Sequence, residues 1–288
     1  LIWYENPKWK THDINTDLLS SHCLQVGDID GDGGIDTRHT QTMVVRDDGS
    51  SSTVVEVRNG NGSLRSRQVQ NASSDGLSFS IEEDVNGDEA IDHFRTTIVQ
   101  VAEDGAKTSV EHDFAGDRTT LLSKITTFMS AEGLLQATYV DGDGDGNIDV
   151  EEVVTVSGAG TQSISRSRYN ADGSTSSIHV LENAANGLVS VARGDENGDG
   201  VYETVRTTET LYLPDGSVAT ETRIENGDGS LRGRSVKKVN DDGLMRTIQT
   251  DADGDGAFER SESTLTVLKA NGSRESVNEI KAQDGSLL

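Results

Sequence analysis

The sequence predicts an all-β fold made of tandem units of about 56 residues, each with about four short antiparallel strands and one acidic loop. Two observations lead to this prediction. An acidic nine-residue pattern recurs at nearly even spacing, and the segments between its copies alternate polar and β-prone residues separated by glycine turns. A fixed period of this length is typical of repeat architectures, in which each unit contacts its neighbours. We therefore expect an elongated repeat array, with a five-bladed β-propeller as the alternative.

The acidic pattern reads Asp-x-[Asp/Asn]-Gly-Asp-x-x-[Ile/Tyr/Phe]-[Asp/Glu] and occurs five times, with successive copies starting 56, 57, 54 and 56 residues apart. Ca²⁺ takes about six to eight oxygen ligands, and a tight loop can supply them. Carboxylates crowded this closely would repel one another without a cation. The pattern therefore predicts about five bound Ca²⁺ ions. We number the copies loop 1 to loop 5; they are Asp28–Asp36, Asp84–Asp92, Asp141–Asp149, Asp195–Glu203 and Asp251–Glu259.

Within each loop, the side chains at positions 1, 3, 5 and 9 and the backbone carbonyl at position 7 are the predicted ligands. Position 8 is apolar, and we expect it to pack under the loop. Position 6 is glycine in four copies but Glu89 in loop 2. A left-handed conformation costs a residue other than glycine roughly 1 kcal/mol, so we expect loop 2 to be the weakest site. The candidate metal ligands are Asp28, Asp30, Asp32, Gly34, Asp36, Asp84, Asn86, Asp88, Ala90, Asp92, Asp141, Asp143, Asp145, Asn147, Asp149, Asp195, Asn197, Asp199, Val201, Glu203, Asp251, Asp253, Asp255, Ala257 and Glu259.

The segments between the loops read as strands joined by tight turns. In the unit after loop 1, four alternating runs are separated by Asp47-Asp48-Gly49, Asn59-Gly60-Asn61-Gly62 and Ser74-Asp75-Gly76. Asp-Gly and Asn-Gly at such places indicate hairpins with type I′ turns, which need positive φ. Later units repeat these turns, and a Gly-Leu pair precedes each of loops 2 to 5. Thr, Val and Ser dominate without a helical period, so no helix is expected.

The loop spacing divides the chain into six segments. Residues 1–36 are a partial repeat that ends in loop 1, and residues 260–288 are a final partial repeat. Four complete repeats lie between them, and each ends in the next loop. These complete repeats are residues 37–92, 93–149, 150–203 and 204–259.

The composition restricts the partners and the location. The formal net charge is −25, which argues against nucleic acid or an anionic membrane as partner because both require clustered Lys and Arg. No apolar run approaches the ~20 residues that span a bilayer, so membrane insertion is not expected. Cys23 is the only cysteine, and hydrophobic residues make up 32%, which is lean for a compact globule. Loops of modest affinity fill where free Ca²⁺ is near millimolar, so we expect an extracellular or cell-surface protein. The first residues, LIWYENPKWK, lack a start Met and a signal peptide, which suggests a processed chain or an excised segment.

The first ~36 residues resemble an FG-GAP (VCBS-type) propeller repeat. The residues that carry the resemblance are Trp3-Tyr4-Glu5-Asn6-Pro7 and the run from His22 through Gly27 into Asp28-Ile29-Asp30-Gly31-Asp32. The resemblance implies a Ca²⁺ loop in a β-hairpin with side-chain ligands at positions 1, 3, 5 and 9. From about residue 37 onward the chain is similar to the Thr/Gly/Asp-rich tandem repeats of large secreted bacterial calcium-binding, adhesin-like proteins. Stretches that carry this are Ser74-Asp75-Gly76-Leu77, the segment 226–232 and the segment 264–273. This second resemblance implies secretion and surface display.

Other readings of the acidic loops fit the sequence less well. An EF-hand requires flanking helices and a glutamate at position 12, where this chain has His39, Arg95, Glu152, Arg206 and Glu262. RTX β-rolls need consecutive glycine-rich nonapeptides, whereas these loops are isolated. Solvated Asp-Gly turns without metal are a plain alternative for one copy, but five copies in phase disfavour it. The six histidines show no metal-ligand spacing and no Gly-x-Ser-x-Gly elbow occurs, so no catalytic residue and no other cofactor is predicted.

The sequence thus predicts a non-enzymatic, calcium-stabilised repeat segment that acts as a spacer, stalk or fibre subunit in adhesion or extracellular matrix. Its expected partners are neighbouring repeats or identical subunits. The alternative left open is a closed β-propeller that binds a glycan or protein ligand.

Overall fold

A computed structural model describes residues 2–5, 10–13, 20–27, 34 and 36–288. Every regular element in these ranges is a β-strand. No helix long and apolar enough to cross a membrane occurs among them. The strands are β1 (Ile2–Glu5), β2 (Lys10–Asp13), β3 (Ser20–Gly27), β4 (Thr37–Val45), β5 (Ser51–Asn59), β6 (Leu64–Ala72), β7 (Ser78–Asp84), β8 (His93–Val101), β9 (Lys107–Ala115), β10 (Leu121–Met129), β11 (Leu135–Asp141), β12 (Val150–Val156), β13 (Gln162–Tyr169), β14 (Thr175–Asn183), β15 (Val189–Asp195), β16 (Thr204–Tyr212), β17 (Val218–Asn226), β18 (Leu231–Val239), β19 (Met245–Asp251), β20 (Arg260–Leu268) and β21 (Arg274–Ala282).

The strands group into fours between successive acidic loops. β4–β7 lie between loops 1 and 2, β8–β11 between loops 2 and 3, β12–β15 between loops 3 and 4, and β16–β19 between loops 4 and 5. Three turns join the four strands of each group, and the acidic loop leads to the next group. The predicted all-β array of tandem four-stranded units is therefore confirmed.

The chain divides into two compact bodies, Leu1–Ala131 with Val140–Asn147, and Glu132–Tyr139 with Ile148–Leu288. In the first body each strand from β3 to β10 pairs antiparallel with its neighbour in the chain. In the second body the same holds from β12 to β21. The pairing continues across the acidic loops, as in β7–β8, β15–β16 and β19–β20. A propeller requires separate four-stranded blades, so the five-bladed alternative is not what these strands form.

The tight turns differ from the predicted type I′. In the turn after β4, the Gly49 N–H donates to the Arg46 carbonyl at 2.9 Å, and the Arg46 N–H donates to the Ser50 carbonyl at 2.8 Å. Gly49 has φ +86°, whereas neither Asp47 nor Asp48 has positive φ. This is a type I turn followed by one left-handed glycine, which suits a three-residue hairpin loop. The Asp48 carboxylate also accepts the Ser50 N–H at 2.9 Å and so closes the turn with a side chain.

Apolar burial is sparse. Among the described residues, the only buried apolar side chains are Ala106 and Ala137. Side chains along the strands are mostly half-exposed on both faces, as in β5, where every position is intermediate. Folding therefore removes little apolar surface from water per residue, and the hydrophobic term is correspondingly small. Other interactions must carry more of the stability than in a compact globule.

Within each unit, the first and third turns lie at one edge of the sheet, and the second turn and the acidic loop lie at the opposite edge. The first and third turns meet where a Cβ on Gly49 would lie 3.6 Å from the Ser74 Cβ. The carbonyl of the Leu in each Gly-Leu pair accepts a backbone N–H from the first strand of the next unit, as Leu77 does from Val99 at 2.7 Å. The Gly-Leu pair thus joins consecutive units.

Candidate metal centre

Among the described residues, the most deeply buried acidic side chains are the first residues of loops 2 to 5. Asp84 is 2% exposed, Asp141 2%, Asp195 0% and Asp251 1%. Each ends a strand of seven residues and begins the loop that follows it. A carboxylate is rarely buried unless it is paired or hydrogen-bonded. The same environment at four equivalent positions makes these residues the centre of a candidate metal site.

Each buried carboxylate is held by the backbone of its own loop. In loop 4 the Asp195 Oδ1 accepts the Gly198 N–H at 2.6 Å, and its Oδ2 accepts the Gly200 N–H at 2.8 Å. Burial raises the pKa of Asp195, but the N–H groups of Gly200, Gly198 and Asn197 outweigh it, so the pKa lies below its ordinary value. The side chain is therefore ionised at neutral pH. In loop 5 the Gly254 and Gly256 N–H groups donate to Asp251 at 2.7 and 3.0 Å.

The other predicted side-chain ligands are fixed by short-range hydrogen bonds. In loop 4 the Asn197 Oδ1 accepts the Asp199 N–H at 2.9 Å, and the Asp199 Oδ1 accepts the Val201 N–H at 2.8 Å. Glu203, at position 9, reaches back and accepts the Glu196 N–H at 2.8 Å through Oε2. Each of these bonds occupies one oxygen and leaves lone pairs for a cation.

The oxygens of loops 4 and 5 converge. In loop 5, one oxygen from each of Asp251, Asp253, Asp255 and Glu259 lies within 4.8 Å of the others. In loop 4 the same holds for Asp195, Asp199 and Glu203. Ionised oxygens at these distances repel one another, and a bound cation reverses the sign of that interaction. Both clusters could hold a metal ion.

Loop 3 is divided between the two bodies. Asp141, Asp143, Asp145 and Asn147 belong to the first body, and Asp149 belongs to the second. Within the first body, the Asp141 carboxylate accepts the Gly144 and Gly146 N–H groups at 2.7 and 3.0 Å, as in loops 4 and 5. The Asn147 N–H donates to Asp145 at 2.7 Å, and this bond is the main cause of the lowered pKa of Asp145.

Loop 2 has the same hydrogen bonds but a looser arrangement. The Asp84 carboxylate accepts the Gly87 and Glu89 N–H groups at 2.6 and 2.9 Å. Although all nine residues of loop 2 are described, Asp84, Asp88 and Asp92 do not form a convergent cluster of three. Glu89 has φ +70°, and only one other described residue besides glycine, Arg118, has positive φ. The strain expected at Glu89 is therefore present in the backbone.

Most of loop 1 lies outside the described residues, including Asp28, Asp30 and Asp32. Gly34, at position 7, is exposed, and Asp36, at position 9, is half-exposed. The Asp36 N–H donates to the Gly27 carbonyl at 2.8 Å. The equivalent bond in loop 2 joins the Asp92 N–H to the Glu83 carbonyl at 2.7 Å, so both loops end in the same closure.

Loops 2 and 4 each lie between the second turns of consecutive units. Position 4 meets the unit before the loop: a Cβ on Gly87 would lie 2.3 Å from the carbonyl oxygen of Leu64, which begins β6. Position 8 meets the unit after it: a Cβ on Gly116 would lie 1.7 Å from the carbonyl oxygen of Ile91. The sequence indicated a packing role for the side chain at position 8, but this contact is made by its backbone. Of the described position 8 side chains, Ile148 is exposed, whereas Ile91, Tyr202 and Phe258 are half-buried, and the Arg234 guanidinium lies 5.2 Å from the centre of the Phe258 ring.

The equivalent contacts recur around the other loops. Position 4 is packed against the carbonyl that begins the third strand of its unit, with added Cβ distances of 2.3 Å at Gly144, 2.1 Å at Gly198 and 2.3 Å at Gly254. On the far side of loop 4, a Cβ on Gly227 would lie 2.3 Å from the Tyr202 carbonyl oxygen. The glycines at the second turns were not among the predicted functional residues, because their partners lie far away in the chain.

The position 7 residues other than Asn147 have no polar side chain and offer only their backbone. Their N–H groups donate to the position 5 carboxylates, as Ala257 does to Asp255 at 2.7 Å and Ala90 to Asp88 at 2.9 Å. Their carbonyls stay predicted ligands. Among the described residues, the convergent clusters that could hold a metal contain only Asp and Glu, without His or Cys. Such a donor set suits a hard cation.

No protein-family model matches the sequence, and no curated protein matches it either. A function for this chain therefore has to be argued from the acidic loops and the sheet that carries them.

Proposed function

We propose that this chain is a non-enzymatic, calcium-stabilised structural repeat segment of a secreted or cell-surface protein. It acts as a spacer, stalk or fibre subunit in adhesion or extracellular matrix. The observation that carries the proposal is the buried, backbone-anchored carboxylate that begins each of loops 2 to 5. Neighbouring repeats or identical subunits are its proposed partners.

Calcium is favoured over other cations by the chemistry of the loops. The side-chain donors are carboxylate or amide oxygens, and Ca²⁺ accepts six to eight of them in a flexible geometry. Mg²⁺ demands near-ideal octahedral geometry and gives up its waters reluctantly. Loop 5 brings four carboxylates together within 4.8 Å, more negative charge than one divalent ion neutralises. We propose that loop 5 binds most tightly, since its carboxylate count is highest among the convergent clusters.

The proposed ions stabilise the fold by linkage. A ligand that binds only the folded state stabilises it by RT ln(1 + [L]/Kd), which is about 1.4 kcal/mol per site at a tenfold excess over Kd. Because loops 2 and 4 each pack between two units, ordering either loop fixes the turns on both of its sides. In the second body, loops 4 and 5 are separated by four strands, or about 19 Å at the usual strand spacing. That separation exceeds the Debye length of about 8 Å, so repulsion between neighbouring ions is largely screened.

The structural role is proposed because strand pairing is continuous and because few apolar side chains are buried. Strand pairing is continuous from β3 to β10 in the first body and from β12 to β21 in the second, so force applied along the row of units would be carried by backbone hydrogen bonds. Apolar burial is too sparse to hold such units alone, since Ala106 and Ala137 are the buried apolar side chains among the described residues. Calcium at each junction would supply the missing stability where extracellular calcium is near millimolar.

Asp255→Asn provides the test. Asparagine keeps the oxygen that accepts the Ala257 N–H at 2.7 Å but removes the charge. Calorimetric titration should show about one fewer tightly bound Ca²⁺ than in the parent chain. The melting temperature, followed by circular dichroism, should fall in millimolar Ca²⁺ and change little in EGTA.

Asp48→Asn is the matched control. Asp48 accepts the Ser50 N–H at 2.9 Å in a first turn, at the end of the strands away from the acidic loops, so the same charge is lost while the same kind of bond is kept. We expect no change in ion number for this variant. Calcium uptake that is absent in the parent chain, or lost equally in both variants, would overturn the proposal. The structural role is tested separately by scattering, where EGTA should increase the hydrodynamic radius as units unfold.

A further inference from the structure

The second body carries a notch on one face of its sheet. The notch lies over β15, where Ala192 and Gly194 present almost no side chain on that face. Across the ladder, Gly194 lies between His179 on β14 and Thr204 on β16. Ala192 lies between Leu181 and Arg206 in the adjacent row. The resulting cavity has a volume of about 380 Å³ and is open to solvent.

The notch is not repeated in the first body. The residues equivalent to Ala192 and Gly194 there are Ile81 and Glu83 on β7, whose side chains occupy the space. The cavity at that place has a volume of about 180 Å³. In a repeat protein, a feature that all units share is explained by the packing of the repeats. A feature found in one unit needs a separate explanation.

The charges around the notch also differ from those of the equivalent place. In the first body, Arg95 lies 3.6 Å from Glu111 and 3.6 Å from Asp113. The equivalent arginine in the second body is Arg206. The residues there that correspond to Glu111 and Asp113 are Thr222 and Ile224. Among the described residues, Arg206 forms no ion pair. The second body therefore has the same arginine, but the residues equivalent to its two carboxylate partners and to Glu83 carry no charge.

A second arginine lies on the other side of the notch, three strands away from the first. Arg166 on β13 lies directly opposite His179, where the equivalent residue in the first body is Val55. Both arginines line the cavity. A guanidinium offers several N–H donors in a planar fork that matches a carboxylate. Glu152 and Glu196 also line the notch and balance the formal charge of the two arginines, whereas Arg95 in the first body faces Glu83, Glu111 and Asp113. The notch is therefore better suited to an anionic group than the equivalent place is.

We propose that this notch binds a carboxylated sugar, a uronic acid unit of an acidic glycan, with Arg206 and Arg166 holding the carboxylate. Glu152 lies directly opposite Arg166, and Glu196 lies 3.7 Å from His179; these carboxylates can accept sugar hydroxyls. Ile164 and Leu181 supply an aliphatic floor for the C–H face of the ring. A shallow, open site with donors, acceptors and a small apolar floor fits a hydroxylated acid better than an apolar ligand.

Calorimetric titration with methyl glucuronide, at a fixed saturating Ca²⁺ concentration, tests this inference. We expect saturable binding for the glucuronide and none for methyl glucoside, which lacks the carboxylate. Acetate, which carries the carboxylate without the ring, should bind much more weakly. Equal affinity for acetate or for the glucoside would overturn the assignment of a carboxylated sugar.

Two variants and one control locate the site. Arg206→Gln should lower the affinity for the glucuronide at least roughly tenfold, because a hydrogen bond to a charged group is lost. Gly194→Glu should abolish binding by restoring the residue found at Glu83. A Cβ there would lie 2.9 Å from the flexible end of Glu196 and 3.4 Å from the His179 ring, so the fold should persist once the Glu196 side chain shifts. Arg95→Gln, at the equivalent position in the first body, should leave binding unchanged. If Gly194→Glu bound the glucuronide as tightly as the parent chain does and melted at the same temperature, the notch would not be the binding site. Calcium uptake is measured in the same samples, so a failure of sugar binding is distinguished from a failure of the calcium proposal.

Discussion

Gly87 lies against Leu64 so closely that a Cβ added to Gly87 would be 2.3 Å from the Leu64 carbonyl oxygen. Gly87 is the fourth residue of an acidic loop, and Leu64 begins a strand that the chain completed before the loop. The loop is therefore supported by the unit behind it as well as by its own hydrogen bonds. Any change that moves this loop must also move the second turn of that unit, which is how a bound ion would act on the sheet.

Gly198→Ala is expected to destabilise the fold by more than 2 kcal/mol, roughly, since it adds both left-handed strain and a clash. Gly198 has φ +74°, and an added Cβ would lie 2.1 Å from the Thr175 carbonyl oxygen. Gly200→Ala is the matched control: Gly200 has φ +86°, but nothing lies within 4 Å of an added Cβ. It should cost about 1 kcal/mol from strain alone. Urea unfolding measures both values, and equal losses would contradict the wedge between loop and turn.

Glu89→Gly is expected to stabilise the protein and to strengthen calcium binding at loop 2. Glu89 has φ +70°, whereas the equivalent Gly146, Gly200 and Gly256 take the same conformation without a Cβ. Removing the strain gains about 1 kcal/mol, and the greater freedom of glycine in the unfolded chain returns part of it, so a net gain of about 0.5 kcal/mol is expected. Calcium titration of both chains should show tighter binding at one site. An unchanged weakest site, together with lower stability, would mean that Glu89 is not strained.

The local elements were predictable because their signals are local. Asp48-Gly49 and Asp75-Gly76 mark turns whatever the tertiary structure, and the strands between them follow. The type I turn was missed because Asp47 and Asp48 accept either hairpin geometry, and the choice depends on how the flanking strands twist. The wedge at Gly116 and the notch at Gly194 could not be predicted, because each depends on strand register. Gly194, Arg166 and Arg206 are brought together only when β13 to β16 are aligned.

Acid is expected to destabilise the calcium-free protein through its turn aspartates. The Thr120 hydroxyl and the N–H groups of Thr120 and Thr119 hold the pKa of Asp117 at about 2, below the ordinary 3.8. The Ser217 hydroxyl and N–H, with the Lys238 ammonium, also hold the pKa of Asp215 at about 2. A lowered pKa in the folded state means that ionisation favours folding. This stability is present above the unfolded value near 3.8 and is lost as the pH falls toward 2.

Urea unfolding in EGTA across this pH range measures the effect. Asp117→Asn keeps an acceptor oxygen but cannot ionise, so its stability should fall less steeply with acid than that of the parent chain. Asp47→Asn serves as the control, because Asp47 is an exposed aspartate that lies in another turn. If the free energy of unfolding fell equally steeply with acid in the parent chain and in Asp117→Asn, the turn at Asp117 would not contribute to the acid sensitivity.

Gly116→Ala is expected to weaken calcium binding at loop 2 although Gly116 offers no ligand. Gly116 lies in the second turn of the following unit, and an added Cβ would lie 1.7 Å from the Ile91 carbonyl oxygen. The turn or the loop must shift to relieve this clash, and either shift displaces Asp92, the predicted position 9 ligand. Gly158→Ala is the control, since nothing lies within 4 Å of an added Cβ there. Gly116→Ala should lose roughly 2 kcal/mol of stability and show weaker binding at one site, whereas Gly158→Ala should lose neither. If Gly116→Ala lowered stability equally in calcium and in EGTA while every site kept its affinity, the loop would not be coupled to the unit that follows it.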